Sequence, residues 1–169
     1  MMKHGGLFIN NENTESSNLT DYFYFYTDVT GENYIKLMRF LFEKSSQFTL
    51  VFRQDIFFND ALHKVLDNLS PFLIEKARQS SWSNTDLCCE DEDSPAMIYY
   101  FSSTNEALEM ILKLTSSLFQ WTQPNFPEDI SFLYDGEYFF TMTTHEKEYM
   151  FIDRPNYRVY SEFAGELSL

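Results

Sequence analysis

The side chains able to do chemistry are few: three histidines, two adjacent cysteines and a large stock of carboxylates. His145-Glu146 is the first candidate, because an imidazole beside carboxylates titrates near neutral pH and can serve as a general base or a metal ligand. It has no companion at ligand spacing. His63 is distant, His4 stands near the start of the chain, and neither H-x-x-x-H nor C-x-x-C occurs. His145 therefore reads as a structural or surface residue, and no metal is expected. Cys88 or Cys89 could be a nucleophile only if a cation or a helix N-terminus lowered its pKa. Glu90, Asp91, Glu92 and Asp93 follow directly, and their charge disfavours the thiolate. That acidic run lacks the D-x-[DN]-x-[DN]-G spacing and distal Glu of a calcium loop. The glycines form neither G-x-G-x-x-G nor G-x-x-x-x-G-K-[ST], so no nucleotide cradle is present and no cofactor is expected. No residue is assigned a catalytic role.

Charge is the more informative property. Residues 80–169 carry sixteen acidic side chains against four basic, whereas residues 1–79 carry ten against eight, so almost all of the net −14 lies in the second half. Such a surface repels nucleic acid and anionic membrane and speeds encounter with basic partners. The twelve lysines and arginines are scattered singly, without the basic stripe of a nucleic-acid-binding face. No apolar run approaches the roughly 20 residues that span a bilayer, and the first residues lack the pattern of a secretory signal. Adjacent cysteines suit reduced thiols better than a disulfide framework. The expected location is the cytoplasm.

The elements follow from periodicity. Residues 1–20 are polar and read as a flexible tail, leaving 21–169 as a single domain. Tyr22 to Tyr26 (YFYFY) is an aromatic strand, read as covered on both faces. Glu32 to Lys44 places Tyr34, Leu37, Met38, Leu41 and Phe42 on one helical face. Phe48 to Arg53 alternates as a second strand. Asn59 caps a helix carrying Leu62, Val65, Leu66 and Leu69, which Pro71 ends, kinks or restarts before a helical Phe72 to Gln79. A loop from Ser80 to Pro95 leads into a third strand, Ala96 to Phe101. Ser103 and Glu106 stand as a capping box opening a helix that runs toward Trp121. Ile130 to Tyr134 and Tyr138 to Thr143 flank Asp135-Gly136, the signature of a tight type I′ hairpin, and Tyr149 to Ile152 extends it into a meander. The tail beyond Asp153 reads either as an edge strand or as a segment draped over the sheet. This order predicts an α+β fold: one mixed, mostly antiparallel sheet of about six strands, helices mainly on one face, and a C-terminal hairpin.

Pro127-Glu128-Asp129-Ile130-Ser131-Phe132, the hairpin, and then Thr144-His145-Glu146 resemble the C-terminal pattern of a family of small, mostly uncharacterised proteins of Gram-positive bacteria. That pattern is a P-E-D-[LI]-x-F strand, a turn, a second strand and a terminal H-E. A Trp-Pro element closes the preceding helix, matched here by Trp121 and Pro124. The resemblance covers residues 48 to 152. It departs at Trp82-Ser83-Asn84-Thr85, where the family pattern has Trp-Pro-Gly-Thr, and it implies a fold without an established activity. Glu128 or Asp129 can meanwhile accept hydrogen bonds from backbone N–H groups beside the strand, with His145 closing the far end of the hairpin.

These features favour a non-catalytic acidic module that binds a basic-surfaced protein, in the manner of immunity proteins or phage-encoded anti-defence inhibitors. The acidic loop would steer association and Trp82 would anchor it, so Trp82, Glu90, Asp91, Glu92 and Asp93 are the expected contact residues. The alternatives are a small hydrolase or transferase with a site near His145 and Glu146, and a housekeeping acidic domain whose charge serves solubility.

Overall fold

Alternating apolar residues on successive strands build one aromatic layer, and the position of every helix follows from the need to cover it. The computed structural model describes residues 19–54, 56, 59–82, 85–86 and 96–167. The chain runs β1 (Asp21–Phe25), α1 (Gly31–Lys44), β2 (Gln47–Phe52), α2 (Asp60–Leu69), β3 (Leu73–Gln79), β4 (Ser81–Trp82) and β5 (Thr85–Asp86). It continues through β6 (Ala96–Ser102), α3 (Asn105–Leu114), β7 (Glu128–Tyr134), β8 (Glu137–Thr143), β9 (Glu148–Asp153) and α4 (Val159–Leu167). The main sheet has the order β1-β9-β8-β7-β2-β6-β3, with β4 and β5 in a separate two-stranded ribbon. Each pairing in the main sheet is antiparallel. The α+β class and helices on one face are as the sequence predicts; the sheet has seven strands where about six are expected.

Register places Phe23, Phe151, Phe140, Phe132, Phe48 and Phe101 in one row across the sheet. That row shares a buried cluster with Tyr34, Leu37 and Leu41 of α1, Leu62 and Val65 of α2, and Ala107 and Ile111 of α3. Ring pairs such as Phe48 with Phe101, centroids 5.1 Å apart, knit neighbouring strands together. Phe139 and Phe140 are consecutive yet both buried. The register between β7 and β8 slips there, and the added residue of β8 turns a second ring inward.

Several segments differ from the sequence reading: α3 stops at Leu114, short of Trp121, and the segment read as a loop from Ser80 holds the short strands β4 and β5. Leu73–Gln79, predicted as helix, is an edge strand along β6, because Pro71 sits in a 3-10 turn that ends α2 and the chain then pairs with β6. Lys76 and Arg78 suit that position, since charged side chains discourage further pairing at an edge. The cap of α3 is Thr104, whose hydroxyl accepts from the Ala107 N–H at 3.2 Å, while Ser103 Oγ is bonded to Ser45 Oγ at 2.7 Å. The tail left open between strand and drape is helix α4, with the Tyr160 and Phe163 rings packed on Phe151. Asn59 caps α2 as predicted, accepting from the Leu62 N–H at 2.9 Å. Asp135 and Gly136 have φ of 51° and 78°, the two positive values of a type I′ turn. Residues 1–18 of the expected tail, and Cys88 to Asp93, lie outside the described residues. No helix among the described residues is long and apolar enough to cross a membrane.

Candidate functional site

The β7–β8 hairpin brings together residues that stand far apart in sequence. Glu128 and Asp129 begin β7, and His145 lies in the 3-10 turn Thr144–Glu146 that follows β8. A register shift between β2 and β7 leaves one extra residue near Asp129, which adopts a φ of 53°. Among side-chain-bearing residues, aspartate is one of the few that enters this left-handed region at modest cost. Here a hydrogen-bond set holds it. Thr144 N–H donates to Asp129 Oδ1 at 2.7 Å, Trp82 Nε1–H donates to Oδ2 at 2.8 Å, and the Asp129 N–H reaches Thr144 Oγ1 at 3.3 Å. Ser131 Oγ closes the bulge on the Asp129 carbonyl at 3.1 Å. The carboxylate is thus fixed from β4 and from the turn after β8, and it accepts a backbone N–H as the sequence suggests.

Glu128 is only 3% exposed. Among the described residues, its Oε2 is the buried side-chain oxygen or nitrogen with no hydrogen-bond partner. Burial, and then the neighbouring Asp129 charge, push the Glu128 carboxyl above its ordinary range, with Arg53, His145 and the Gln123 backbone N–H pulling the other way. Burial also raises Asp129, against the hydrogen bonds from Thr144 and Trp82 that favour its charged form. One ligand-type atom from each of Glu128, Asp129 and His145 lies within 4.8 Å of the other two. The His145 side chain is 44% exposed, so the imidazole forms the open side of an otherwise buried acidic pair. Its Nε2 is also 3.9 Å from Glu146 Oε1.

No family model, curated protein or solved structure matches this chain. The site must be read from its own chemistry.

The expected contact residues fare unequally. Trp82 is no exposed anchor: it is buried with Val51, Ala96 and Ile98, and its indole N–H is taken up by Asp129. A tryptophan needs a partner for its N–H when buried, and the bulge carboxylate supplies one. Glu90, Asp91, Glu92 and Asp93 lie outside the described residues. Glu128 and Asp129 are absent from the predicted contact residues: the sequence reading gives them a structural part, with His145 at the far end of the hairpin, whereas the structure puts all three at its open end, where β7 begins and β8 finishes.

A second surface feature lies at the far edge of the sheet. Tyr22, Tyr24 and Tyr26 point away from the core and are 55%, 50% and 67% exposed, while Phe23 and Phe25 turn inward. The strand is therefore covered on one face, not on both as YFYFY suggests. Tyr26 hydroxyl is hydrogen-bonded to Glu148, with Glu146 nearby, and its pKa is raised accordingly. Among the described residues β1 pairs with β9 alone, and its own residues include no lysine, arginine or proline.

Proposed function

We propose that this chain is a non-catalytic module that grips a basic-surfaced protein by direct contact, a role that suits an inhibitor of the immunity or anti-defence type. Its support is the outer side of β1 and its end: exposed Tyr22 and Tyr24 on an edge strand and exposed Tyr26 just beyond it, with Glu146 and Glu148 beside Tyr26. Tyrosine gives rigid contact area at low entropic cost and accepts arginine or lysine on its ring face. Among the described residues that edge pairs on one side only, and the acidic surplus would steer a basic partner toward it. The test is affinity capture from the native host by the whole chain, in parallel with the Tyr22→Ser/Tyr24→Ser/Tyr26→Ser variant. A basic protein retained by the wild type, released as salt rises and missed by the variant is the expected result. Capture that is indifferent to both the tyrosines and salt removes this reading.

The gathering of Glu128 and Asp129 at His145 favours a second reading, a small hydrolase or transferase. In that case ester or phosphoester turnover by the purified chain would be lost in His145→Ala.

A further inference from the structure

We infer that Glu128, Asp129 and His145 form a binding site for one first-row divalent cation. Two carboxylates and an imidazole are a mixed oxygen and nitrogen donor set. It suits Zn2+ or Mn2+ better than Mg2+ or Ca2+, which prefer oxygen alone. All three donors already lie within 4.8 Å of one another. Donors at ~2.0–2.2 Å from a tetrahedral ion stand about 3.4 Å apart, so closing the site asks the donors to draw together by at most about 1.4 Å. His145, as the exposed member, has the most room to move.

An independent observation points the same way. Glu128 Oε2 is buried beside a second carboxylate and has no hydrogen-bond donor among the described residues. Buried carboxylate oxygens are ordinarily paired, because leaving one bare forfeits its hydration without return. A cation would bring a counter-charge into direct contact with both acids at once, beyond the longer-range field of Arg53. The donors to Asp129 fit the arrangement too. Thr144 N–H and Trp82 Nε1–H each occupy one lone pair of the carboxylate and leave others available, fixing its direction as outer partners of metal ligands do. The half-open side at His145 admits the ion and leaves room for water to complete its coordination.

Titration of the chelator-treated full chain with Zn2+ and with Mn2+, followed by calorimetry and by thermal unfolding, tests this. The expected result is saturable binding of one ion per chain with a rise in Tm. Both effects should weaken by about tenfold or more in affinity in Glu128→Gln and in His145→Gln, with Mg2+ giving neither. Glu128→Gln keeps the shape of the residue, and its circular dichroism spectrum verifies the fold. Asp129→Asn would disturb the bulge and is unsuited to the comparison. No saturable binding of either ion by the wild type overturns the site. So does binding that survives both substitutions but is lost in Cys88→Ser/Cys89→Ser or in Glu90→Gln/Asp91→Asn/Glu92→Gln/Asp93→Asn. Because β1 takes no part, loss of this site leaves the tyrosine-edge reading standing, and the reverse also holds.

Discussion

At the scale of single residues, the balance at Glu128 predicts an unusual stability profile. Its carboxyl is raised above 4.5 in the folded chain, so between 4.5 and the folded value the native state binds more protons than the unfolded one. Stability contributed by the group therefore falls as pH rises through that window and is lowest at neutral pH. Glu128→Gln, measured in chelator, should be more stable than the wild type at pH 7 by about 1 kcal/mol or more, each kcal/mol worth ~2–4 °C in Tm. The gain should vanish below pH ~4.5, where Glu128 is protonated in both states. A wild type that is the more stable protein at pH 7 without metal would contradict this account. Trp82→Phe keeps the ring but strands Asp129 Oδ2, and should cost about 1–3 kcal/mol by thermal or urea denaturation. Residue order does not show this, since Trp82 meets Asp129, and the two acids meet His145, only across three elements.

At the scale of elements, local signals succeed where one residue type has one physical use. Asp135-Gly136 gives the hairpin because glycine carries positive φ without strain. A Cβ at Gly136 would meet nothing within 4 Å, so only the backbone opposes substitution. Gly136→Ala should therefore cost about 1 kcal/mol, with no change in the near-ultraviolet aromatic spectrum. Asp153 is the counterpart at α4: fully buried, it accepts from the Tyr160 N–H at 2.7 Å and from the Ser161 N–H and hydroxyl at 3.3 and 2.9 Å. Asp153→Ala should free that helix end and expose the α4 amides to hydrogen exchange, at a cost of about 1–2 kcal/mol. Leu73–Gln79 shows the opposite case. Its E-K-A-R-Q run has good helix formers, yet pairing with β6 and the stop at Pro71 outweigh a propensity of a few tenths of a kcal/mol per residue.

At the scale of the whole molecule, the acidic surplus is divided by the fold. Glu128, Asp129 and Asp153 are drawn inside, and Glu109, Glu137 and Glu162 face Arg39, Arg154 and Lys44. The ion pairs leave the surplus unchanged, since their cations are already counted in it, but the three buried acids are withdrawn from the surface, and part of the remainder sits beside the tyrosines at the β1 edge. Association with a basic partner should still slow by about tenfold or more as ionic strength rises from ~0.01 to ~0.15 M, where the Debye length shrinks from about 30 to about 8 Å. Stopped-flow association rates measure this. Replacing Glu90 to Asp93 by Ser or Asn should flatten the salt dependence if the acidic loop shares the encounter, and an unchanged rate at low salt would take that loop out of it.

Residue order alone determined the α+β class, the covered faces of α1 and α2, the Asn59 cap and the Asp135-Gly136 turn, whereas β2, read as alternating, is buried on both faces. Each of the features so determined depends on interactions within a few positions or on a simple period of burial. Tertiary structure alone decided the seventh strand, the helical tail, the burial of Trp82 and the meeting of two acids with His145. Those outcomes depend on pairing and desolvation between segments that are distant along the chain, and their energies arise only once the sheet has formed.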